Sequence, residues 1–217
     1  MVGRIAGERS RVAVLRARDE DRIAQLLVGE TAVDLHRTSL VGVPFGKPFT
    51  YVDECASTQK LLADDAPEGA LVMADHQTAG RGRLGRVWED VPGRSLLFSI
   101  MLRPPAPMPL WPELSLVAGE AVARALGHGA EVRPPNDVFL NGKKVAGVLP
   151  EATQGRVILG IGVNVNHSAD ELPSDTVKPA TSLRVETGVE HDRDALLAAI
   201  LRELERGYEI WAAPYRR

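Results

Sequence analysis

Residues 138–149 read Val-Phe-Leu-Asn-Gly-Lys-Lys-Val-Ala-Gly-Val-Leu, and this stretch indicates how the chain folds. Two apolar runs flank Asn141-Gly142. An Asn-Gly pair between such runs is typical of a two-residue β-hairpin turn, because both turn positions need positive φ. The stretch therefore predicts two adjacent antiparallel strands, Val138–Leu140 and Lys143–Leu149.

Further strands and helices are predicted on both sides of this hairpin. Apolar runs predict further strands at Phe49–Val52, Ala70–Ala74, Ser95–Leu102, Glu131–Arg133 and Arg156–Val165. Apolar residues at helical spacing predict helices over Glu113–Leu126 and from an Asp192 cap to about Trp211. Ser57 or Thr58 is expected to cap a short helix over Gln59–Ala63. Hairpins outnumber β-α-β crossovers, which favours an α+β fold with a mixed, largely antiparallel sheet flanked by helices.

The composition of the chain limits the classes of protein to which it can belong. The chain has 217 residues, of which 44% are hydrophobic and 25% charged, as in ordinary globular proteins. Its formal net charge of −3 does not favour general nucleic-acid binding. No run is long enough to span a membrane, and the N-terminus lacks a signal core. The single cysteine, Cys55, allows no intrachain disulfide. We expect a cytoplasmic protein with no membrane or DNA partner.

The first 45 residues differ from the rest. They are arginine-rich, with a candidate short helix at Asp19–Val28, and they end in a turn-rich connector. We therefore expect an N-terminal extension of unclear structure at 1–45 and one domain at 46–217.

Function is indicated most clearly by Gly80–Trp88, which reads Gly-Arg-Gly-Arg-Leu-Gly-Arg-Val-Trp. Glycine lets backbone amides approach a ligand closely, and arginine supplies planar charged donors for phosphate or carboxylate. The run has few packing groups, so it predicts a loop that closes over an anionic ligand. Taken alone, the run favours a simpler interpretation, a solvated basic loop or a weak nucleic-acid patch.

Other polar stretches each have an ordinary structural explanation. Ser57-Thr58-Gln59 could be a helix cap, and Gln77 an exposed strand end. Lys144 could be a solvated hairpin lysine. The glycines of Gly160–Asn166 weaken a strand unless something must approach it closely, and Asn164 and Asn166 are expected to share one face.

In this order, the stretches resemble the biotin protein ligase family (biotin–[acetyl-CoA-carboxylase] ligases). The family pattern is Ser-Thr-Asn/Gln, then Gln-x-x-Gly-Arg-Gly-Arg-x-Gly-Arg-x-Trp, Lys-Trp-Pro-Asn-Asp, Lys-x-x-Gly-(Ile/Val)-Leu-x-Glu and Gly-(Ile/Val)-Gly-x-Asn-x-Asn. The resemblance covers roughly residues 49–213. It implies a catalytic domain like that of class II aminoacyl-tRNA synthetases.

The resemblance implies roles for particular residues. Those implied to bind biotin are Ser57, Thr58, Gln59, Gln77, Arg81, Gly82, Arg83, Lys144 and Gly147. Those implied to bind ATP are Arg83, Arg86, Trp88, Asn136, Asp137, Lys144 and Asn164. Arg83 and Lys144 are implied to be catalytic.

The implied reaction joins biotin and ATP into biotinyl-5′-AMP and then transfers biotin to a lysine of a biotin carboxyl-carrier protein. Mg²⁺ enters with ATP, and no separate metal site of the protein is predicted. A homodimer is compatible with the sequence. The competing hypotheses are a lipoate ligase or octanoyltransferase on the same scaffold, and a biotin-binding module with reduced turnover. Nucleic-acid binding ranks last.

The sequence departs from the family pattern in three places. Arg133-Pro134-Pro135 replaces Lys-Trp-Pro, so the tryptophan is missing. Pro150 stands before Glu151, where it is expected to remove a donor from the strand ladder. The sequence ends at Arg217, so we expect the catalytic domain without a DNA-binding domain and without the family's C-terminal SH3-like domain.

Overall fold

The computed structural model of the protein describes Val43 and residues 45–153, 155–174 and 178–216. The candidate helix Asp19–Val28 and nearly all of the 1–45 segment lie outside these residues. Val43 and Phe45 pack into the main core. The division at residue 45 stays a prediction.

A seven-stranded sheet forms the centre of the fold. Its strands are β1 (Phe49–Cys55), β2 (Leu71–Gln77), β3 (Ser95–Leu102), β4 (Glu131–Arg133), β5 (Asp137–Leu140), β6 (Lys143–Thr153) and β7 (Arg156–Asn164). Their spatial order is β1-β2-β3-β7-β6-β5-β4. The β1–β2 pair is parallel and the other five pairs are antiparallel. This arrangement confirms the predicted mixed, largely antiparallel α+β sheet.

Three α-helices of the described residues accompany the sheet: α1 (Leu114–Leu126), α2 (Leu183–Thr187) and α3 (Arg193–Ala212). The two long helices confirm the predictions from apolar spacing. Asp192 caps α3 as expected, because its Oδ1 accepts hydrogen bonds from the backbone N–H groups of Asp194 (2.8 Å) and Ala195 (3.1 Å). This capping satisfies two donors that the first helical turn leaves unpaired.

The two faces of the sheet are covered differently. The apolar faces of α1 and α3 pack on one side, where leucines, isoleucines and valines of β2, β3, β6 and β7 form the main core. A smaller cluster lies on the opposite side and includes Val52, Cys55, Leu61, Val72 and Met101. This second face leaves room beside that cluster, over β6 and β7.

The predicted helix over Gln59–Ala63 is wrong. The chain forms a single 3₁₀ turn at Thr58–Leu61, and Ser57 makes no side-chain capping bond. The Thr58 hydroxyl lies 2.7 Å from Ser99 Oγ and donates to Gln77 Oε1 over 3.1 Å. Contacts with β2 and β3, and not a helix cap, therefore determine the conformation of this segment.

The β5–β6 hairpin forms as predicted, with positive φ at both Asn141 (50°) and Gly142 (78°). Its pairing contains a β-bulge, in which Val145 is the extra residue of β6. Val145 and Ala146 are both buried in the helix-side core. An extra residue reverses the alternation of sides along a strand, so Lys144 faces the same side as Gly147, away from the helices.

Pro150 costs the sheet no ladder bond to β7. The backbone N–H of Val148 donates to Asn136 O, on the β5 side of β6. By the two-residue alternation, the Pro150 nitrogen also points away from β7, although Pro150 stands opposite Leu159 of that strand. The N–H group that Pro150 lacks would therefore point to the β5 side of β6, past the end of β5. Proline is tolerated at such a position.

Among the described residues, no helix combines the length and the apolar character needed to cross a membrane.

Candidate active site

A cavity of about 690 Å³ opens on the sheet face opposite the helices. Its walls include every residue that the sequence resemblance implied for a site: Ser57, Thr58, Gln59, Gln77, Arg81, Gly82, Arg83, Arg86, Trp88, Asn136, Asp137, Lys144, Gly147 and Asn164. The fold thus brings together residues from segments up to 107 positions apart. Their individual roles remain proposals.

One part of the cavity wall is made of buried, uncharged polar side chains: Ser57, Thr58 and Gln59. Gln77 Oε1 accepts from both the backbone N–H (2.8 Å) and the hydroxyl of Thr58. The Gln77 carbonyl is therefore occupied, and its amide N–H₂ is the end left to donate to a ligand. Ser99, which sequence reasoning missed, lies behind Thr58 and fixes its hydroxyl.

The side chain of Gln59 lies directly over Gly160. A β-carbon at Gly160 would lie 2.8 Å from Gln59 Cδ, well inside van der Waals contact. Gln59 crosses this glycine, and its Nε2 donates to Leu149 O over 3.1 Å. The sequence predicted a close approach to these glycines, and the approaching group at Gly160 is the protein's own side chain.

The indole of Trp88 forms another part of the wall. A β-carbon on Gly162 would lie 2.7 Å from Trp88 Cε2, and one on Gly147 would lie 3.2 Å from Cζ3. The ammonium of Lys144 lies 5.5 Å from the centroid of the indole ring, within the range of a cation–π contact. Two glycines on neighbouring strands thus make room for the tryptophan against the sheet.

The Gly80–Trp88 stretch is a loop, as predicted, with one 3₁₀ turn at Arg83–Gly85. A bridge pairs Arg81 with Val87 across its base. Two arginines attach it to neighbouring elements: Arg81 Nη2 lies 2.8 Å from Glu151 Oε2 on β6, and Arg83 Nη1 lies 3.5 Å from Asn136 Oδ1. The loop is therefore held against β6 while Arg83 and Arg86 line the cavity.

Asp137 is a buried carboxylate held between two ammonium groups. Its Oδ1 lies 2.8 Å from Lys144 Nζ and its Oδ2 lies 2.5 Å from Lys178 Nζ. Burial by itself would raise the pKa of Asp137, but hydrogen bonds and charges from the two lysines outweigh it and hold the pKa below its ordinary value. The carboxyl is therefore ionised at neutral pH.

Sequence reasoning missed Lys178, because no motif includes it. Its position follows from main-chain pairing: Lys144 N donates to Pro179 O (2.8 Å) and Thr181 N donates to Lys144 O (2.9 Å). The segment after Lys178 thereby lies parallel to the start of β6, with a bridge between Lys144 and Ala180.

Two asparagines complete the wall. Asn136 Nδ2 donates to Val148 O over 2.9 Å, and the buried Asn164 donates to Thr181 O over 3.0 Å. The expectation that Asn166 shares the face of Asn164 is wrong, because β7 ends at Asn164. Asn166 Nδ2 instead donates to His191 O over 2.8 Å.

The residues that the structure describes do not form a Mg²⁺ site by themselves. Within the part of the chain that the structure describes, no three His, Cys, Asp or Glu side chains are grouped to hold a metal ion. Asp137, the acidic residue among those implied to bind ATP, uses both carboxylate oxygens on lysines. Mg²⁺ binds proteins mainly through one or two carboxylates together with substrate phosphates.

Comparison with known proteins identifies the class. The profile of the biotin/lipoate A/B protein ligase family matches residues 51–168, a region that begins within β1 and ends just after β7. The chain belongs to this family, and its fold is the α+β, class II aminoacyl-tRNA-synthetase-like catalytic domain.

Two relatives show which members of the family the chain resembles. The bifunctional ligase/repressor BirA of Bacillus spizizenii is 42% identical over 176 residues, which are 75% of this chain and 54% of that protein. The biotin–[acetyl-CoA-carboxylase] ligase of Mycobacterium tuberculosis is 36% identical over 202 residues, 83% of this chain and 74% of that protein. The chain thus spans about half of the Bacillus protein.

A solved structure shows the same architecture. The biotin protein ligase from Aquifex aeolicus in complex with biotin and ATP superposes with a TM-score of 0.68 at 36% identity, covering 75% of this chain and 71% of that one.

Proposed function

We propose that this chain is the catalytic domain of an ATP-dependent biotin protein ligase. The observation that carries the proposal is one cavity with two chemically different parts: an uncharged, buried polar wall at Ser57–Gln59 and a cationic wall at Arg83 and Lys144. Biotin has a polar ureido ring and a carboxylate tail, and its activation requires that carboxylate to meet a nucleotide phosphate. The similarity to biotin ligases supports the same function.

The polar wall favours biotin over lipoate. The Gln77 amide N–H₂ and the Ser57 hydroxyl can donate to the ureido carbonyl, and hydroxyl oxygens can accept its N–H groups. A dithiolane ring would offer them no acceptor and would leave buried donors unpaired. A site built for hydrogen-bonding groups strongly rejects an analogue that lacks them. A lipoate ligase or an octanoyltransferase is therefore the second candidate function.

The first step makes a mixed anhydride. A carboxylate oxygen of biotin attacks the α-phosphorus of ATP, a new P–O bond forms, and the bond to the bridging oxygen breaks to release pyrophosphate. Both reactants are anionic, so the catalytic task is to hold them together and to stabilise charge. Lys144 and Arg83 do this as positioned cations. No protein nucleophile takes part.

The second step makes the amide. The neutral ε-amine of a carrier lysine attacks the acyl carbon of biotinyl-5′-AMP, AMP leaves, and one proton is released. We propose the biotin carboxyl-carrier domain of acetyl-CoA carboxylase or a related carboxylase as the acceptor, and the cytoplasm as the location. Mg²⁺ would arrive with the triphosphate. A homodimer remains a prediction from the sequence.

The test is biotin-dependent ATP–pyrophosphate exchange, followed by transfer of labelled biotin to an isolated carrier domain. We expect exchange with biotin and little with lipoate. Equal exchange with lipoate would overturn the biotin assignment. Biotin binding without exchange would support a binding module with reduced turnover. Exchange without transfer would contradict the choice of this carrier domain as the acceptor.

A further inference from the structure

Ser99 is a polar residue in the middle of a buried strand. All of β3 is buried, and the other residues from 96 to 102 are apolar. Ser99 itself is fully buried, and it stands between Val72 of β2 and Gly160 of β7. A buried hydroxyl costs stability unless it is hydrogen-bonded. The group that it contacts therefore indicates why a serine is present at this position.

The contact of Ser99 is the hydroxyl of Thr58, which has one proton and two neighbours. Thr58 Oγ1 lies 2.7 Å from Ser99 Oγ and 3.1 Å from Gln77 Oε1. An amide oxygen can only accept a hydrogen bond. The Thr58 proton therefore goes to Gln77, and the Ser99 hydroxyl donates to Thr58. The opposite assignment would give the Thr58 proton to Ser99 and deprive Gln77 Oε1 of its second donor.

This direction of donation decides what the cavity wall offers to a ligand. Thr58 uses its proton on Gln77 and one lone pair on Ser99, so the lone pair that is left can only accept. Gln77 Oε1 accepts from both the backbone N–H and the hydroxyl of Thr58, so the Gln77 amide N–H₂ can only donate. Both residues line the cavity. The wall therefore presents an acceptor beside a donor, which is the complement of a urea, with its N–H beside its C=O.

We propose that Ser99 is a positioning residue that determines specificity for the ureido ring without touching it. A hydroxyl without a fixed donor can rotate and either donate or accept. Ser99 removes this choice at Thr58, so the acceptor is already in place before the ligand binds and less order is lost on binding. This inference rests on the proposed function, since it takes the ureido ring of biotin to lie against Thr58 and Gln77.

The experiment is a double-mutant cycle of Ser99→Ala with Thr58→Val, which removes the hydroxyl and keeps the backbone N–H and the shape. Ser95→Ala is the matched control, because Ser95 is a second buried serine of β3 and its hydroxyl lies 3.4 Å from His167 Nε2, outside the cavity wall. Calorimetry measures direct binding of biotin and of desthiobiotin, which keeps the ureido ring and lacks the sulfur-containing ring. The KM for ATP is measured by exchange.

We expect Ser99→Ala to weaken the binding of biotin and of desthiobiotin by the same factor, about fivefold, which is the usual scale of one hydrogen bond. The KM for ATP should stay within about twofold, and Ser95→Ala should leave biotin binding within about twofold. In the Thr58→Val background no hydroxyl remains to be oriented, so Ser99→Ala should add less than about twofold. Circular dichroism checks folding. If Ser99→Ala does not fold, Ser99→Cys, which has only a weak donor, replaces it with the same expected direction.

Three results would overturn the inference. The first is unchanged biotin affinity in Ser99→Ala, and the second is additive losses in the cycle, which would mean that Ser99 acts independently of the Thr58 hydroxyl. The third is a loss for biotin without a loss for desthiobiotin, which would place the effect in the packing of the sulfur-containing ring. If wild type binds biotin but shows no biotin-dependent exchange, the proposed function fails while the binding data still decide the role of Ser99.

Discussion

The indole of Trp88 lies against the backbone of Gly162 so closely that a β-carbon there would be 2.7 Å from Cε2. The glycine makes room for the ring, and the ring in turn borders Lys144. Trp88 therefore ends the arginine loop on a fixed surface of the sheet.

Gly162→Ala should displace the indole and weaken ATP-dependent exchange by roughly tenfold or more, since one misplaced wall can cost that much in a preorganised site. A double-mutant cycle with Trp88→Ala provides the control. In the Trp88→Ala background the added methyl meets empty space, so Gly162→Ala should cost little more. Additive losses would show that Gly162 acts independently of the indole.

Lys144→Ala should lower exchange roughly a hundredfold, the usual scale for one preorganised charged donor, and Arg83→Ala should act in the same direction. The fold should persist, because Asp137 keeps Lys178 as a partner. Lys143→Ala, one residue away and exposed, is the matched control. Circular dichroism checks folding, and near wild-type pyrophosphate release in a folded Lys144→Ala protein would remove Lys144 from catalysis.

The ion pair of Arg81 with Glu151 should hold the arginine loop against β6. Both side chains are partly exposed, so the pair is worth at most about 1 kcal/mol. Glu151→Gln should therefore raise the rate of tryptic cleavage within Gly80–Trp88 by up to roughly fivefold. Glu131→Gln breaks a similarly exposed pair on β4 and should leave the rate unchanged. Biotin and ATP together should slow cleavage in wild type, and identical rates with and without them would argue against ligand-coupled ordering.

Asp137 should make part of the stability depend on pH. Its folded-state pKa lies below the ordinary value of 3.8. The pairing with the lysines therefore stabilises the fold above that pH and is lost as pH falls through the folded-state pKa. Asp137→Asn should destabilise the protein at about pH 6, and the difference from wild type should shrink towards about pH 3. A difference in unfolding free energy that does not vary with pH would contradict this assignment.

Asp192→Ala should lower the free energy of unfolding by about 1 kcal/mol through loss of the α3 cap. Asp192→Asn retains an acceptor oxygen and should remain close to wild type. Because Asp192 lies outside the cavity wall, exchange activity measured well below the unfolding temperature should be the same in all three proteins.

The sequence predicted what depends on local geometry. The Asn141-Gly142 turn and the Asp192 cap follow from the conformations and donors of a few neighbouring residues, and they form as expected. The family resemblance identified the residues of the cavity wall, because the family's motifs lie in the segments that come together around the cavity.

Features that depend on contacts between distant segments were missed. Lys178 reaches Asp137 through main-chain pairing 34 residues after Lys144, and no local pattern reports this. The bulge at Val145 decides which way Lys144 points, but valine is an ordinary strand residue. The helix expected after Thr58 failed because Ser99 and Gln77 take the hydroxyl that was expected to cap it.

Pro150 also affects the tendency of the protein to aggregate through an unpaired strand. A strand side that is not covered by a neighbour offers its N–H and C=O groups to any passing extended chain, which is a route to aggregation. On the outward-facing side of β6, where β5 has already ended, the proline ring replaces a donor and interrupts that template. The departure from the family pattern thus leaves the ladder to β7 intact while making this border of the sheet a poor place for a foreign strand to attach.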